Sequence, residues 1–275
     1  MIPAARARAR CAGVPHVLID SHCHLDMLAP VKAGGGIDAV LAEARAAGVE
    51  GFLCVGVDPG AQAAMLATVG HRPGVWCSAG VHPSTPLAAE PDVASIVGWC
   101  ADPRIVAVGE TGLDYHYVDQ VTPEAQRARF RTQVRAAREL GLPLIIHTRD
   151  ARADTLEILK SERAAEVGGV FHCFTEDRDT ALAAIDLGFA VSFSGIVTFR
   201  NAEPLRALAR VLPLESLLVE TDAPYLAPVP MRGKENAPAF VRHVADCIAR
   251  ERGTDLATVA AATSANFHRV FRRAA

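Results

Sequence analysis

Short apolar runs alternate along this chain with amphipathic stretches, and the pair repeats about every 30 residues, the length of one strand–helix unit. The runs are almost continuously hydrophobic, which is typical of parallel strands that are buried on both faces. They predict eight strands, at residues 17–20, 51–57, 75–81, 105–109, 143–146, 170–171, 189–193 and 217–219.

The stretches between these runs carry helix signals. The clearest is Thr122-Pro123-Glu124, an N-cap residue, a proline at the first helical position and an acid in the first turn, which predicts a helix that ends at Gly141. An apolar stripe that starts at Ile37 predicts another helix, stopped by Gly48. Further helices are predicted at residues 151–166, 179–187, 203–211, 237–252 and 255–271.

Eight strand–helix units predict an α/β protein with the (β/α)8 architecture of the TIM barrel. The length of 275 residues also allows a two-domain, doubly wound protein, but no Gly/Ser linker divides the chain. We expect a single domain over residues 16–275 and a flexible N-terminal extension over residues 1–15. That extension is rich in arginine and lacks the apolar segment of a secretory signal, although a transit peptide is an alternative.

Net charge and cysteine content indicate what kind of surface the protein has and where it is located. The net charge of -3 argues against a surface that coats itself with nucleic acid, so any polyanionic substrate has to meet a local cationic site. Seven cysteines without a CxxC spacing predict reduced thiols and a cytoplasmic location. No apolar run reaches the roughly 18 residues of a membrane span, and nothing in the sequence implies an obligatory protein partner.

Polar residues cluster where the predicted strands end, which is where barrel enzymes place their active sites. A His-x-His pair follows the first strand, and because side chains alternate along a strand, both rings point one way while Cys23 points the other. Such a pair alone also fits a structural role. Six histidine and carboxylate side chains at the carboxyl ends of the predicted strands instead predict a metal site. They are His22, His24, Glu110, His147, His172 and Asp222.

Six nitrogen and oxygen ligands exceed the needs of one tetrahedral zinc and suit two divalent ions that share a carboxylate. Ions about 3.5–4 Å apart are a recurrent device for phosphate ester hydrolysis. We expect Glu110 to bridge the ions, and Asp222 to bind a metal and to take the proton of the attacking water. Cys23 and Cys173 are expected to face away from the site.

The chain resembles the TatD family of metal-dependent deoxyribonucleases, within the metallo-dependent hydrolase type of TIM barrel. The resemblance runs over about residues 17–270 and rests on the segments DSHCHLD, AGVHP, GETGLDY, IIHTR, FHCF, FSGIVTF and ETDAPY, with RGK beyond them. It implies that His22, His24, Glu110 and Asp222 hold one metal ion, and that Glu110, His147 and His172 hold a second.

One departure from the family pattern lies beside the predicted site. Family members commonly have Ser-Gly after the His-Cys-Phe of strand six, whereas this chain has Thr175-Glu176. The acid adds a negative charge near the mouth of the site and bears on the choice of substrate.

Substrate contacts are predicted around the ligands. Arg149 follows His147 by two residues and shares its face if the strand continues. The remaining candidates are His82 after the third strand, Arg232 and Lys234 after the eighth, and Tyr225, which could stack on a base.

The sequence thus predicts a hydrolase, and the resemblance implies a deoxyribonuclease that digests single-stranded or terminal DNA in the 3′-5′ direction with two Mg, Mn or Zn ions. The alternative is an ester or amide hydrolase, such as a D-aminoacyl-tRNA deacylase. A more distant alternative is a non-enzymatic, metal-holding interaction protein.

Overall fold

The structure is a computed structural model that describes residues 17–34 and 36–274. The predicted N-terminal extension, residues 1–15, therefore lies outside the described residues. The prediction of one domain over residues 16–275 also includes residues at both ends that are not described.

All eight predicted strands are present, and they form one parallel sheet in the order of the sequence. The strands are β1 (Leu18–Cys23), β2 (Val49–Cys54), β3 (Val75–Ala79), β4 (Ile105–Asp114), β5 (Leu144–Arg149), β6 (Gly169–Phe171), β7 (Phe189–Phe193) and β8 (Leu217–Val219). Beyond β8, the Asp222 amide donates to the His22 carbonyl at 2.9 Å and the His24 amide donates to the Ala223 carbonyl at 2.8 Å, which joins the two edges. The TIM barrel is confirmed, and the doubly wound alternative is wrong because strand order never reverses.

Three strands run further than their apolar runs predicted. β1 continues through His22 to Cys23, β4 continues to Asp114, and β5 continues to Arg149. The extensions consist largely of polar residues, so an apolar pattern cannot find them. They belong to the sheet because the pairing between β4 and β5 continues through them. Gly112 pairs with His147, and Asp114 pairs with Arg149.

Helices alternate with the strands around the barrel. They are α1 (Ala29–Lys32), α2 (Ile37–Ala46), α3 (Gln62–Val69), α4 (Val93–Trp99), α5 (Pro123–Leu140), α6 (Arg152–Ser161), α7 (Arg178–Asp186), α8 (Glu203–Val211), α9 (Val241–Glu251) and α10 (Leu256–Val270). The predicted start and stop of α5 are confirmed: Thr122 accepts the Ala125 amide, and Gly141 has a φ of 62°. Helices α1, α3 and α4 were not predicted. None of the described helices is long and apolar enough to cross a membrane.

The amino-terminal half of the barrel interior is filled by apolar side chains. Ile19, Leu53, Ile145 and other strand residues form one buried cluster there. Phe267 and Phe271, close to the end of α10, belong to the same cluster and are fully buried. We call this cluster the floor of the barrel. The opposite end, where the strands finish, is the mouth.

Candidate metal centre

The mouth holds a cavity of about 730 Å³ lined by histidines, carboxylates, two tyrosines and an arginine. The side chains come from the ends of β1, β4 and β5 and from the residues just after β6 and β8. The structure brings together all six residues predicted as metal ligands: His22, His24, Glu110, His147, His172 and Asp222.

The first set of donor atoms comes from both sides of the β1–β8 seam and from β4. His22 Nε2 lies 3.5 Å from Glu110 Oε2 and 3.6 Å from Asp222 Oδ1. His24 Nε2 lies 3.4 Å from the same Asp222 oxygen. The predicted alternation along β1 is also observed, since Cys23 turns away into the main apolar core.

The second set of donor atoms comes from β4, β5 and the end of β6. Glu110 Oε1 lies 3.0 Å from His147 Nδ1 and 2.8 Å from His172 Nε2. The two imidazole nitrogens lie 3.3 Å from each other. One carboxylate therefore turns Oε2 to the first set and Oε1 to the second.

Both sets fit a divalent cation. Ligands about 2.0–2.1 Å from a tetrahedral ion lie about 3.3–3.4 Å from each other, close to the separations of the donor atoms here. Both ring nitrogens of His22 are buried and lack a hydrogen-bond partner among the described residues. Buried polar atoms without a partner are rare, and a bound ion is one of the usual reasons for them.

Burial disfavours the charged form of every ionisable side chain in this centre. The neighbouring side chains decide whether the pKa of each group is finally raised or lowered. Burial opposes ionisation of Glu110, but the charge of His172 and the hydrogen bonds from His147 and His172 together hold its pKa well below the usual value. Burial likewise opposes ionisation of Asp222, but the hydrogen bond from His24 and the neighbouring histidines together outweigh burial, so the pKa is lowered. Burial lowers the pKa of His22. At neutral pH the centre thus offers ionised carboxylates and a neutral His22, the forms that bind metal ions.

Two glycines of the Gly-Glu-Thr-Gly segment allow β4 to approach β5. Gly109 has a φ of 150°, and a Cβ there would lie 2.7 Å from the Ile145 Cβ. Gly112 has a φ of 132°, and a Cβ there would lie 2.0 Å from the His147 carbonyl oxygen. A side chain at either position would press β4 and β5 apart, and with them Glu110 and His147.

The loop after β3 carries His82 and is held by α5. The Arg129 guanidinium donates to the carbonyls of His82 and of two of the next three residues, and it forms a two-pronged ion pair with Glu90 at 2.6 and 2.7 Å. Gln133 binds both the amide and the carbonyl of Val81. His82 Nε2 thereby lies 3.5 Å from Glu110 Oε1.

Three carboxylates of the centre were not predicted to have a role. Asp114 Oδ2 lies 3.0 Å from His147 Nε2, and Glu220 Oε1 lies 3.3 Å from His172 Nδ1. Asp20 accepts the amide and the hydroxyl of Thr221, and burial raises its pKa to about 8. Asp20 and Glu220 each precede a predicted ligand by two residues, so strand alternation was a usable signal for both.

The predicted substrate residues divide into two groups. His82, Arg149 and Tyr225 line the cavity with the ligands. Arg232 and Lys234 are exposed and are not among the residues that line it, and Arg232 instead stacks on the Phe199 ring at 4.0 Å.

Cys173 is a correction. It was expected to face away from the site, but it lines the cavity. Its φ of 43° lies in the left-handed region, which ends the strand alternation just after His172.

A barrel of this topology with histidines and carboxylates gathered at its mouth defines the class of metal-dependent hydrolases. A family model described as "TatD related DNase" matches residues 19–272. The chain belongs to the TatD family, as the sequence motifs indicated. The same finding makes it an enzyme and removes the alternative of a non-enzymatic interaction protein.

Relatives agree with this assignment. The chain is 51% identical over 255 residues to the uncharacterized metal-dependent hydrolase YcfH of Escherichia coli K12, covering 92% of this chain and 95% of YcfH. It is 38% identical over 241 residues to the 3′-5′ ssDNA/RNA exonuclease TatD of Klebsiella pneumoniae, covering 85% of this chain and 91% of that protein. The solved structure of YJJV, a TatD homolog from Escherichia coli, superposes with a TM-score of 0.83 at 27% identity over 94% of this chain and 98% of YJJV.

Proposed function

We propose that this protein is a binuclear nuclease that removes nucleotides from the 3′ end of single-stranded DNA, with His22, His24, Glu110 and Asp222 at one ion and Glu110, His147 and His172 at the other. The observation that carries the proposal is the orientation of Glu110, whose two oxygens face two separate sets of donor atoms. The exonuclease name of a relative at 38% identity supports the choice of substrate.

Two divalent ions, when bound, activate water and neutralise the charge that develops at phosphorus. Glu110 holds the two donor sets at a fixed separation. Asp222 Oδ1 would help to hold an ion at the first set of donor atoms, and the Asp222 carboxylate would take the proton from the attacking water. The lowered pKa of Asp222 keeps this carboxylate ionised at neutral pH. Histidine and carboxylate ligands accept Mg, Mn and Zn according to availability. The test below therefore adds each of these metals separately.

His82 is arranged to donate a hydrogen bond into the cavity. Its Nδ1 accepts the Ser84 amide at 3.2 Å, which places the ring hydrogen on Nε2. Burial lowers the pKa of His82 to about 4, so the ring is a neutral donor at physiological pH. We assign it to a phosphoryl oxygen of the substrate.

Arg149 supplies the cation that a phosphate needs beyond the metals. Its guanidinium lies over the Tyr117 ring at 5.1 Å, and both residues line the cavity. Tyr225 also lines the cavity and is 55% exposed, so its face is available for stacking on a base. Arg232 and Lys234 can reach only the part of a longer strand that leaves the cavity.

The size of the cavity favours a single strand. Pockets of about 300–1,000 Å³ hold ligands of drug or cofactor size, and the 730 Å³ here suits a terminal nucleotide. A base pair has to open before its phosphates reach metals at the bottom of such a cavity. We therefore expect single strands and frayed ends to be cut and blunt duplexes to resist.

The free thiols of all the described cysteines are compatible with a reducing compartment such as the cytoplasm.

The test is hydrolysis of a 5′-labelled single-stranded DNA by metal-stripped protein, with Mg, Mn or Zn added back. A ladder that shortens from the 3′ end is expected, and Asp222→Asn should abolish it. The matched control is Asp186→Asn, which makes the same change at an exposed residue at the end of α7. Folded, metal-loaded protein that leaves the DNA intact with every metal would refute the nuclease assignment.

A second substrate class is favoured by one observation. A depression beside the mouth is lined by three acids, Asp150, Asp154 and Glu176, and by one cation, Arg152. Asp154 is paired with Arg127, so Asp150 and Glu176 are the acids left to attract the ammonium group of an aminoacyl ester. The same centre would then polarise a carbonyl, as in a D-aminoacyl-tRNA deacylase. Release of a D-amino acid from a charged transfer RNA, in a preparation that leaves single-stranded DNA intact, would establish this alternative.

A further inference from the structure

The two histidines of the second donor set each have a carboxylate behind them. His147 turns Nδ1 to Glu110, and its other nitrogen, Nε2, lies 3.0 Å from Asp114 Oδ2. His172 turns Nε2 to Glu110, and its Nδ1 lies 3.3 Å from Glu220 Oε1, close enough for an ion pair but without a hydrogen bond among the described residues.

The first donor set lacks such support. The second nitrogen of His24, Nδ1, lies 3.0 Å from the backbone carbonyl of Val55, a neutral acceptor. His22 Nδ1 has no hydrogen-bond partner within the described part of the chain. The two halves of the centre therefore share Glu110 but differ in the charge that stands behind their imidazoles.

The supporting carboxylates are themselves held in place. Asp114 Oδ1 accepts the backbone amides of His116 and Tyr117 at 3.0 and 3.2 Å, which leaves Oδ2 for His147. Glu220 Oε1 accepts the Cys173 amide at 2.7 Å. Both side chains are almost completely buried, at 2% and 0% exposure, so neither is free to turn to solvent.

A carboxylate that accepts the proton of the outer nitrogen fixes the ring, selects the tautomer and makes the inner nitrogen a more basic ligand. We propose that Asp114 is a positioning residue for His147, that Glu220 places a buried negative charge beside His172, and that the second site consequently binds its ion more tightly than the first. The inference rests on the binuclear centre proposed above. It adds an order of filling: one ion enters at Glu110, His147 and His172 before the other enters at the β1–β8 seam.

Asp114 could instead be a ligand, because donor atoms of His82, Asp114 and His147 also lie within 4.8 Å of one another. The Ser84 amide argues against a third ion there. It occupies the Nδ1 lone pair of His82, so the nitrogen that faces the cavity carries a hydrogen and has no lone pair to offer.

Calorimetric titration of the metal-stripped protein with Zn²⁺ tests the inference without reference to activity. Wild-type protein should bind two ions in two resolved steps. Asp114→Asn should weaken the tighter step by about 10- to 100-fold. The reason is specific: the two backbone amides retain the Asn oxygen, so the NH2 group meets His147 Nε2 and drives the ring hydrogen onto the ligating Nδ1.

Three further variants sharpen the titration. Glu220→Gln removes charge but keeps Oε1, so we expect a smaller loss, also confined to the tighter step. Asp222→Asn should weaken the other step. Asp186→Asn is the matched control, because it makes the same change at an exposed residue at the end of α7. Thermal unfolding of each metal-free variant separates positioning from folding, and if Glu220→Gln unfolds, Asp114→Asn carries the test.

The outcomes separate the inference from the proposed function. Loss confined to the tighter step in Asp114→Asn supports the inference, even if the protein cuts no DNA. Equal losses in both steps, a loss only in the weaker step, or no change would overturn the inference and leave the nuclease assignment standing. Three ions in wild-type protein and two in Asp114→Asn would make Asp114 a ligand. One ion or none in wild-type protein would overturn the inference and the binuclear centre together.

Discussion

The mouth and the floor are two ends of the same barrel interior, yet their side chains have opposite character. The floor is closed by aromatic and aliphatic side chains, with Phe267 and Phe271 fully buried. The mouth buries histidines and carboxylates, and three of the histidine nitrogens have no hydrogen-bond partner among the described residues. Burial of apolar surface stabilises a fold, whereas buried charges stabilise it only when they are paired.

The difference teaches that stability and chemistry are separated along each strand. On β5, Ile145 belongs to the floor, while His147, two residues later on the same face, belongs to the metal centre. Substitutions at the floor should therefore lower the stability of the fold and leave the hydrolytic activity intact. Substitutions at the mouth should lower the hydrolytic activity and leave the fold intact.

The largest effect is expected from Glu110→Gln at the mouth. The variant loses the ligand shared by both donor sets, so metal-dependent hydrolysis should fall by about four orders of magnitude, or about 5 kcal/mol. Initial rates on the labelled strand measure the loss, and circular dichroism checks the fold. Retention of more than about a tenth of the wild-type rate would show that Glu110 does not link the two sites.

Phe267→Ala at the floor should lower the free energy of unfolding by about 3–5 kcal/mol, because it leaves a cavity in a packed cluster. Urea unfolding of the metal-free protein measures it. The same variant should hydrolyse substrate at a nearly normal rate at low temperature. The control Val211→Ala truncates an apolar side chain that is 62% exposed at the end of α8. A large loss of activity in folded Phe267→Ala would contradict the separation of floor from mouth.

Metal binding should couple the two ends through the folding equilibrium. An ion at 100 times its dissociation constant stabilises the native state by about 2.7 kcal/mol, since only the folded chain presents the site. The thermal midpoint of wild-type protein and of Phe267→Ala should therefore rise when Zn²⁺ is added to stripped protein. Glu110→Gln should show little or none of this rise, and a full rise would place the ions elsewhere.

A smaller effect is expected at the rim of the mouth. Arg149→Gln should lower kcat/KM by about 10- to 30-fold, or about 1.4–2 kcal/mol, because a charge-assisted contact to phosphate is lost. Metal affinity should stay unchanged, since Arg149 forms no ion pair with the ligands among the described residues. Lys234→Gln, outside the cavity, is the comparison, and an equal or larger effect there would reverse the proposed assignment.

The smallest effect is expected from an ion pair near the start of β4, at the floor end. Hydrogen bonds from Arg104 lower the pKa of Asp102 to about 2 from its usual 3.8. A lowered carboxyl pKa stabilises the fold above pH 3.8, and the contribution is lost as the pH falls through about 2. The Asp102 side chain is 25% exposed, so solvent screening limits the gain to less than about 1 kcal/mol.

Unfolding of wild-type protein and Asp102→Asn across this pH range measures that contribution. The stability difference between the two proteins should be present at pH 5 and should vanish near pH 2. A difference that grows as the pH falls would contradict the sign of the shift.

The fold could be predicted largely because its signals are local. The apolar runs located every strand, and Thr122, Pro123 and Gly141 located both ends of α5. Helices such as α3 and α4 were missed. In α3 neither end of the helix has a side-chain cap, and α4, although Asp92 caps it, is only seven residues long. Such short helices are stabilised by packing on the sheet, which no local pattern reports.

The grouping of the six candidate ligands could be predicted because strand ends meet at one rim of a parallel barrel. Residues far apart in sequence, such as His22 and Asp222, could be grouped once the topology was inferred. Asp114 was missed because β4 was expected to stop at residue 109, so nothing placed its carboxylate beside His147.

By itself the sequence determined the strand order, the end of the barrel that carries the chemistry and the ligand types, because these depend on alternation and on local hydrogen bonding. Only the tertiary structure decided which oxygen of Glu110 faces which donors, that Cys173 turns into the cavity, and that Asp114 and Glu220 stand behind two of the four histidines. The physical reason is that these contacts join residues on different strands that are far apart in the sequence. Their distances depend on how the barrel closes, which no local sequence pattern reports.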